Sequence, residues 1–102
     1  MEFEQLPPNL FRFGFNKSKY QGLPLLREDV ERVANWVAPR FEKSKKLCKT
    51  VSSYGIKHIV ERAMGEYVGN GELIAAMILC GFKYEQDGMN AYFFIDPKSI
   101  KE

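Results

Sequence analysis

The spacing of apolar residues predicts three helices. In Leu25–Val37 apolar residues recur every three or four positions, the period of an amphipathic helix, and Pro39 follows as a stop. The stretch Ser53–Gly65 repeats this spacing after a serine that suits a helix N-terminus. A third helix is predicted over Asn70–Cys80, just before Gly81. This last stretch is apolar on all sides, which is typical of a helix in the core.

A β-hairpin is predicted after the helices. Two strand-like runs, Phe82–Glu85 and Ala91–Ile95, flank the turn pair Asp87-Gly88. Residues 40–50 are polar and basic, and we interpret them as a connection with room for one helical turn. The predicted fold class is therefore α+β, with three helices followed by a C-terminal β-hairpin in a winged-helix-like arrangement.

The first 23 residues differ in character from the rest. Pro7-Pro8 excludes a helix there, and a loosely alternating run over residues 10–15 suits an edge strand. The many aromatic residues argue against disorder. We interpret residues 1–23 as an aromatic-rich arm, packed on the core or on a partner. Residues 24–96 would form the core of a single domain spanning 1–102.

Composition fits a soluble globular domain. Of 102 residues, 45% are hydrophobic and 27% are charged, and no apolar run approaches the length of a membrane span. The N-terminus lacks the basic and apolar regions of a signal peptide. Two distant cysteines do not make a disulfide framework. We therefore expect a reduced, cytoplasmic protein without membrane contact.

Charge is distributed unevenly. The chain carries +2, yet residues 40–62 contain seven basic and two acidic residues and so carry +5. Lysines that neutralise phosphates release counterions, which drives binding to nucleic acid. The alternative is a solvated connection that keeps the protein soluble. The predicted nucleic-acid-binding residues are Lys43, Lys45, Lys46, Lys49, Tyr54, Lys57, His58 and Arg62.

Two of these residues have specific alternatives. Tyr54 would stack on a base, or be half buried at the start of its helix. His58 would contact the ligand beside Lys57, or satisfy a structural hydrogen bond. The third helix offers only Glu72 to a DNA groove, which argues against reading of bases. Any binding is thus expected to involve mainly backbone phosphates, whether of DNA or RNA.

Catalytic and metal signatures are missing from the sequence. There is one histidine, no Gly-x-Ser-x-Gly element, no phosphate-binding loop and no Cys-x-x-Cys pair. We expect a protein that is not an enzyme and that has no metal and no cofactor.

Several short segments of the sequence form a recognisable pattern. These are Ser52–His58, Tyr67–Ala76, Gly81-Phe82 and Asn90–Phe93. Together they resemble small bacterial proteins associated with phages and plasmids, most of which have no assigned function. The resemblance covers about residues 48–95 and implies a mobile-element setting. It carries over no catalytic residue.

A second interpretation is a protein-interaction module, such as a phage-encoded inhibitor or modulator of a host nucleoprotein complex. Aromatic side chains dominate interface hot spots, and the arm would supply them as Phe11, Phe13, Phe15 and Tyr20. A structural subunit of a larger assembly is a third interpretation, which apolar surface on the third helix would favour.

Overall fold

The computed structural model describes residues 3–16 and 22–100. In chain order these residues form β1 (Leu10–Phe11), β2 (Gly14–Phe15), α1 (Arg27–Val37), β3 (Lys43–Cys48), α2 (Ser53–Met64), α3 (Asn70–Leu79), β4 (Tyr84–Asp87) and β5 (Asn90–Ile95), with short 3-10 turns at Phe3–Gln5 and Pro97–Ser99. The three predicted helices and the predicted hairpin are present, with ends displaced by at most about two residues.

Helix α3 is the centre of the core. Each residue from Asn70 to Met77 is buried, as expected for a helix that is apolar all round. Helix α1 packs along α3 through Val30, Val33 and Val37, and α2 packs against α3 as well. The core prediction for the third helix is confirmed.

A three-stranded antiparallel sheet covers the helices, in the order β3-β5-β4. Along β5 buried and half-buried residues alternate, and the buried set is Ala91, Phe93 and Ile95. This alternation places one face of the central strand on α2 and α3. Gly88 has a φ of 61° in the turn between β4 and β5, a conformation that glycine adopts without strain.

The predicted element order is wrong. Strand β3 lies between α1 and α2 and pairs with β5, and β1 and β2 form a second sheet, so the strands do not simply follow three helices. The polar connection predicted over residues 40–50 is largely strand β3. The sequence did not indicate a strand here because the segment is rich in exposed lysines. An edge strand needs few apolar side chains and gains its stability from pairing with its neighbour. The α+β class holds, but the winged-helix-like description based on that order does not.

The N-terminal segment belongs to the core. Strands β1 and β2 form a hairpin whose Leu10 and Phe15 are buried. The hairpin docks on the start of α3, where the Gly71 N–H donates to the carbonyl of Arg12 at 2.9 Å. It also meets the β4–β5 turn, because the Phe15 N–H donates to the carbonyl of Met89 at 2.9 Å. The hairpin therefore holds together the N-terminus of α3 and the turn between β4 and β5.

Candidate functional site

Five exposed lysines lie in or next to β3 and β4, the two edge strands of the three-stranded sheet. Lys43, Lys45 and Lys46 lie in β3, Lys49 directly follows β3, and Lys83 directly precedes β4. Lys43, Lys45 and Lys83 line a cavity of about 240 Å³ in which no acidic residue takes part. We call the five residues Lys43, Lys45, Lys46, Lys49 and Lys83 the lysine edge.

The charges of the lysine edge are not compensated. Within residues 3–16 and 22–100, none of its five ammonium groups forms an ion pair with a carboxylate. Other basic residues do: Arg12 pairs with Glu72, and Arg32 pairs with both Asp29 and Glu66. The lysine edge thus carries five positive charges that no carboxylate of the described residues neutralises.

Lys57 differs from the lysine edge because its side chain is buried and pairs with a carboxylate. Its side chain is 8% exposed, and its ammonium donates to Glu61 Oε1 at 2.7 Å. The Val68 N–H donates to the same oxygen at 3.2 Å, and His58 Nδ1 lies 3.2 Å from Glu61 Oε2. Burial by itself raises the pKa of Glu61, but the hydrogen bonds from Lys57 and Val68 outweigh it and lower the pKa. Lys57 and His58 therefore share one ionised carboxylate.

Arg62 occupies the last turn of α2 and is exposed. It lines a shallow depression with Glu61, Glu66 and Tyr67. Arg62 lines none of the depressions that the lysine edge lines, so it does not extend the lysine edge.

A second site lies where four segments of the chain converge. We call it the aromatic groove; its volume is about 490 Å³, and it is lined by Phe13, Tyr54, Lys57, Tyr67, Asn70, Met89 and Asn90. Phe13, Tyr54, Tyr67 and Met89 are 49%, 54%, 54% and 53% exposed. They are four of the six large apolar side chains that are exposed in the described part of the chain. Such clustering of exposed apolar surface is typical of a binding site.

The rings of the groove are held by polar neighbours. His58 meets the ring of Tyr54 edge-on, with 4.5 Å between ring centroids. The Lys57 ammonium lies 4.6 Å from the ring centroid of Tyr67 and 5.7 Å from that of Tyr54. These cation–π and edge contacts orient both tyrosine rings while leaving about half of each exposed.

Asn70 contributes an unusual polar group to the groove. It is 4% exposed, and its Nδ2 donates to Asn90 Oδ1 at 2.9 Å and to the carbonyl of Phe13 at 3.2 Å. These bonds fix the orientation of the carboxamide. Its Oδ1 has no hydrogen-bond partner among the described residues. A buried acceptor without a donor is costly, and such atoms call for a specific explanation.

The predicted anchors of the aromatic arm do not form one surface. Phe15 is buried and stacks on Tyr84 at 6.1 Å, Phe11 is half buried, and only Phe13 is largely exposed. Tyr20 lies outside the described residues. Of the three described residues of this set, only Phe13 reaches the aromatic groove.

Three residues of the aromatic groove were not predicted from the sequence as site residues: Tyr67, Asn70 and Met89. Tyr67 and Asn70 stand in one segment of the phage- and plasmid-associated pattern and Asn90 stands in another, which was the available signal. Nothing in the sequence showed that these segments lie next to each other in the folded protein.

In the described ranges, no helix has the length and apolar character needed to cross a membrane, and no three His, Cys, Asp or Glu side chains are grouped to hold a metal ion. Comparisons with protein families, with curated proteins and with solved structures found no match for this chain. Function must therefore be argued from the two sites themselves.

Proposed function

We propose that this chain is a noncatalytic nucleic-acid-binding protein of a mobile genetic element, and that it holds backbone phosphates at the lysine edge. The observation that carries the proposal is the group of five exposed lysines without a carboxylate partner in the described residues. Each lysine that neutralises a phosphate releases counterions, so the affinity depends steeply on salt. The resemblance to phage- and plasmid-associated proteins supports the mobile-element setting.

Lysines on an edge strand also have a protective role, because they discourage pairing with a second chain. That role accounts for Lys45 and Lys46 within β3. It does not account for Lys49 and Lys83, which lie outside the strand, nor for a cavity lined by three lysines. Phosphate binding explains all five.

Helix α3 supports contact with the backbone rather than with base edges of a duplex. Its first eight residues are buried, and the hairpin of β1 and β2 covers its N-terminus. Such a helix has no free face to enter a DNA groove. Phosphate contacts carry no sequence information, so we expect little sequence preference.

Binding of fluorescently labelled random-sequence DNA, as duplex and as single strand, tests the proposal at several salt concentrations. The Lys45→Gln/Lys83→Gln variant should bind more weakly, and its plot of log affinity against log salt should lose a slope of about 2. The matched control is Arg27→Gln/Arg32→Gln, which removes the same charge from α1. This control should bind as the wild type does.

Two outcomes contradict the proposal. One is that the wild type binds neither form of DNA at low salt. The other is that the lysine variant and the α1 control lose affinity equally, because the effect would then follow net charge and not the lysine edge.

A further inference from the structure

We infer that the aromatic groove receives one unpaired nucleobase of the nucleic acid held at the lysine edge, so that the protein prefers single strands to duplex. This inference rests on the proposed function and names the substrate class. A duplex keeps its bases stacked inside and cannot offer one to the groove. Proteins that bind single strands commonly combine a basic track with aromatic stacking platforms.

The rings of the groove suit stacking. Tyr54 and Tyr67 are each about half exposed and are oriented by His58 and Lys57. A ring that is already oriented loses little entropy when a base stacks on it. The groove volume of about 490 Å³ lies within the usual range for small-ligand sites.

Asn70 supplies the polar requirement of a base. Its Nδ2 is committed to Asn90 and Phe13, and its Oδ1 has no donor within the described residues. Every nucleobase carries at least one N–H group on its edge, so any base can provide the missing donor once the side chains that bury this oxygen move aside on binding. The groove is therefore expected to accept a base without strong sequence preference, in keeping with phosphate contacts elsewhere.

The chain connects the two sites directly. Lys49 follows β3, and Tyr54 lies in the first turn of α2. Tyr54 lies five positions after Lys49, so the chain between them spans at most about 18 Å. A single strand with a phosphate at Lys49 can thus reach the groove within a few nucleotides. Lys49 is not neutralised by any carboxylate of the described residues and lies within this distance of the groove, which favours a polyanion over a peptide as its occupant.

The test compares a 20-nucleotide single strand with the blunt duplex of the same sequence, by fluorescence anisotropy. Wild type should bind the single strand more tightly. Tyr54→Leu/Tyr67→Leu should lose roughly tenfold or more in single-strand affinity, because stacking is removed, while duplex affinity stays unchanged. Tyr54→Phe/Tyr67→Phe keeps both rings and should bind as the wild type does. Leu23→Ala, an exposed apolar change outside the groove, should also have no effect.

The outcomes separate this inference from the proposed function. If the Tyr54→Leu/Tyr67→Leu variant binds the single strand as the wild type does while the lysine variant is impaired, the base site is wrong. The proposed function then stands, and the groove is open to a protein partner. If wild type binds neither strand form at low salt, both proposals fall. An equal loss for single strand and duplex also overturns the base site.

Discussion

Glu72 is a fully buried carboxylate at the start of α3. The Leu26 N–H donates to its Oε2 at 3.1 Å, and Arg12 Nε lies 3.6 Å from its Oε1. Burial raises the pKa of Glu72, and the contacts with Leu26 and Arg12 only partly oppose this. The fold therefore favours the protonated form of Glu72 more than the unfolded chain does.

This raised pKa predicts how stability depends on pH. The favourable contribution of protonated Glu72 is complete below its unfolded pKa of about 4.3 and is lost as pH rises through the higher folded value. Glu72→Gln stays neutral, so its free energy of unfolding should rise relative to that of the wild type between pH 4 and pH 7. Urea unfolding at both pH values measures this difference.

Glu61→Gln is the matched control, because the pKa of Glu61 is lowered and not raised. The stabilisation from ionised Glu61 is present above its unfolded pKa and is lost as pH falls through the folded value. This variant should therefore be less stable than wild type at pH 7 and approach it in acid. If both variants shift in the same direction with pH, the assignment for Glu72 is wrong.

At the scale of elements, the contact between the N-terminal hairpin and α3 requires a glycine. A Cβ at Gly71 would collide with the carbonyl oxygen of Phe11, which is backbone and cannot turn aside. Gly71→Ala should lower the free energy of unfolding by about 3 kcal/mol, although alanine normally favours a helix. Thermal and urea unfolding measure the loss.

Gly65→Ala is the control for this change. Gly65 has a φ of 74°, and a Cβ there would meet nothing within 4 Å. The expected loss is only the strain of a left-handed residue, about 1 kcal/mol. Equal stability of Gly71→Ala and wild type would show that the hairpin does not press on α3 as described.

The elements that were predictable from sequence are those with strong local signals. Helices α1 and α2 have clear periodicity, α3 is a long apolar run between Asn70 and Gly81, and Asp87-Gly88 marks the turn between β4 and β5. Strand β3 was not predictable, because three of its six residues are lysines and its pairing with β5 joins positions about 50 residues apart. The same limit applied to the aromatic groove, whose side chains come from four distant segments.

The ionic environment of the candidate residues could be predicted only in part from the sequence. Lys57 and Glu61 are four residues apart in one helix, a spacing that favours an ion pair. The sequence could not show that the pair is buried or that the Val68 N–H joins it. The uncompensated state of the lysine edge likewise depends on which acidic residues the fold brings near.

At the scale of the whole molecule, the N-terminal segment joins the core to the groove. It buries Leu10 and Phe15, supplies Arg12 to Glu72, and places Phe13 at the groove. An arm that only bound a partner would neither bury Leu10 and Phe15 nor place Arg12 beside Glu72. The segment therefore has a structural role whatever binds to Phe13.

Removal of residues 1–22 tests this role. The truncated chain would lose Leu10 and Phe15 from the core, and burial of an apolar side chain of this size contributes about 1.5–3 kcal/mol. Because small domains are stable by only about 5–15 kcal/mol, we expect the cooperative thermal transition to vanish or to shift far down. Phe13→Ala, which removes an exposed ring but keeps the hairpin, should melt close to wild type. Circular dichroism measures both transitions, and a truncated chain that melts at the wild-type temperature would contradict a core role for this segment.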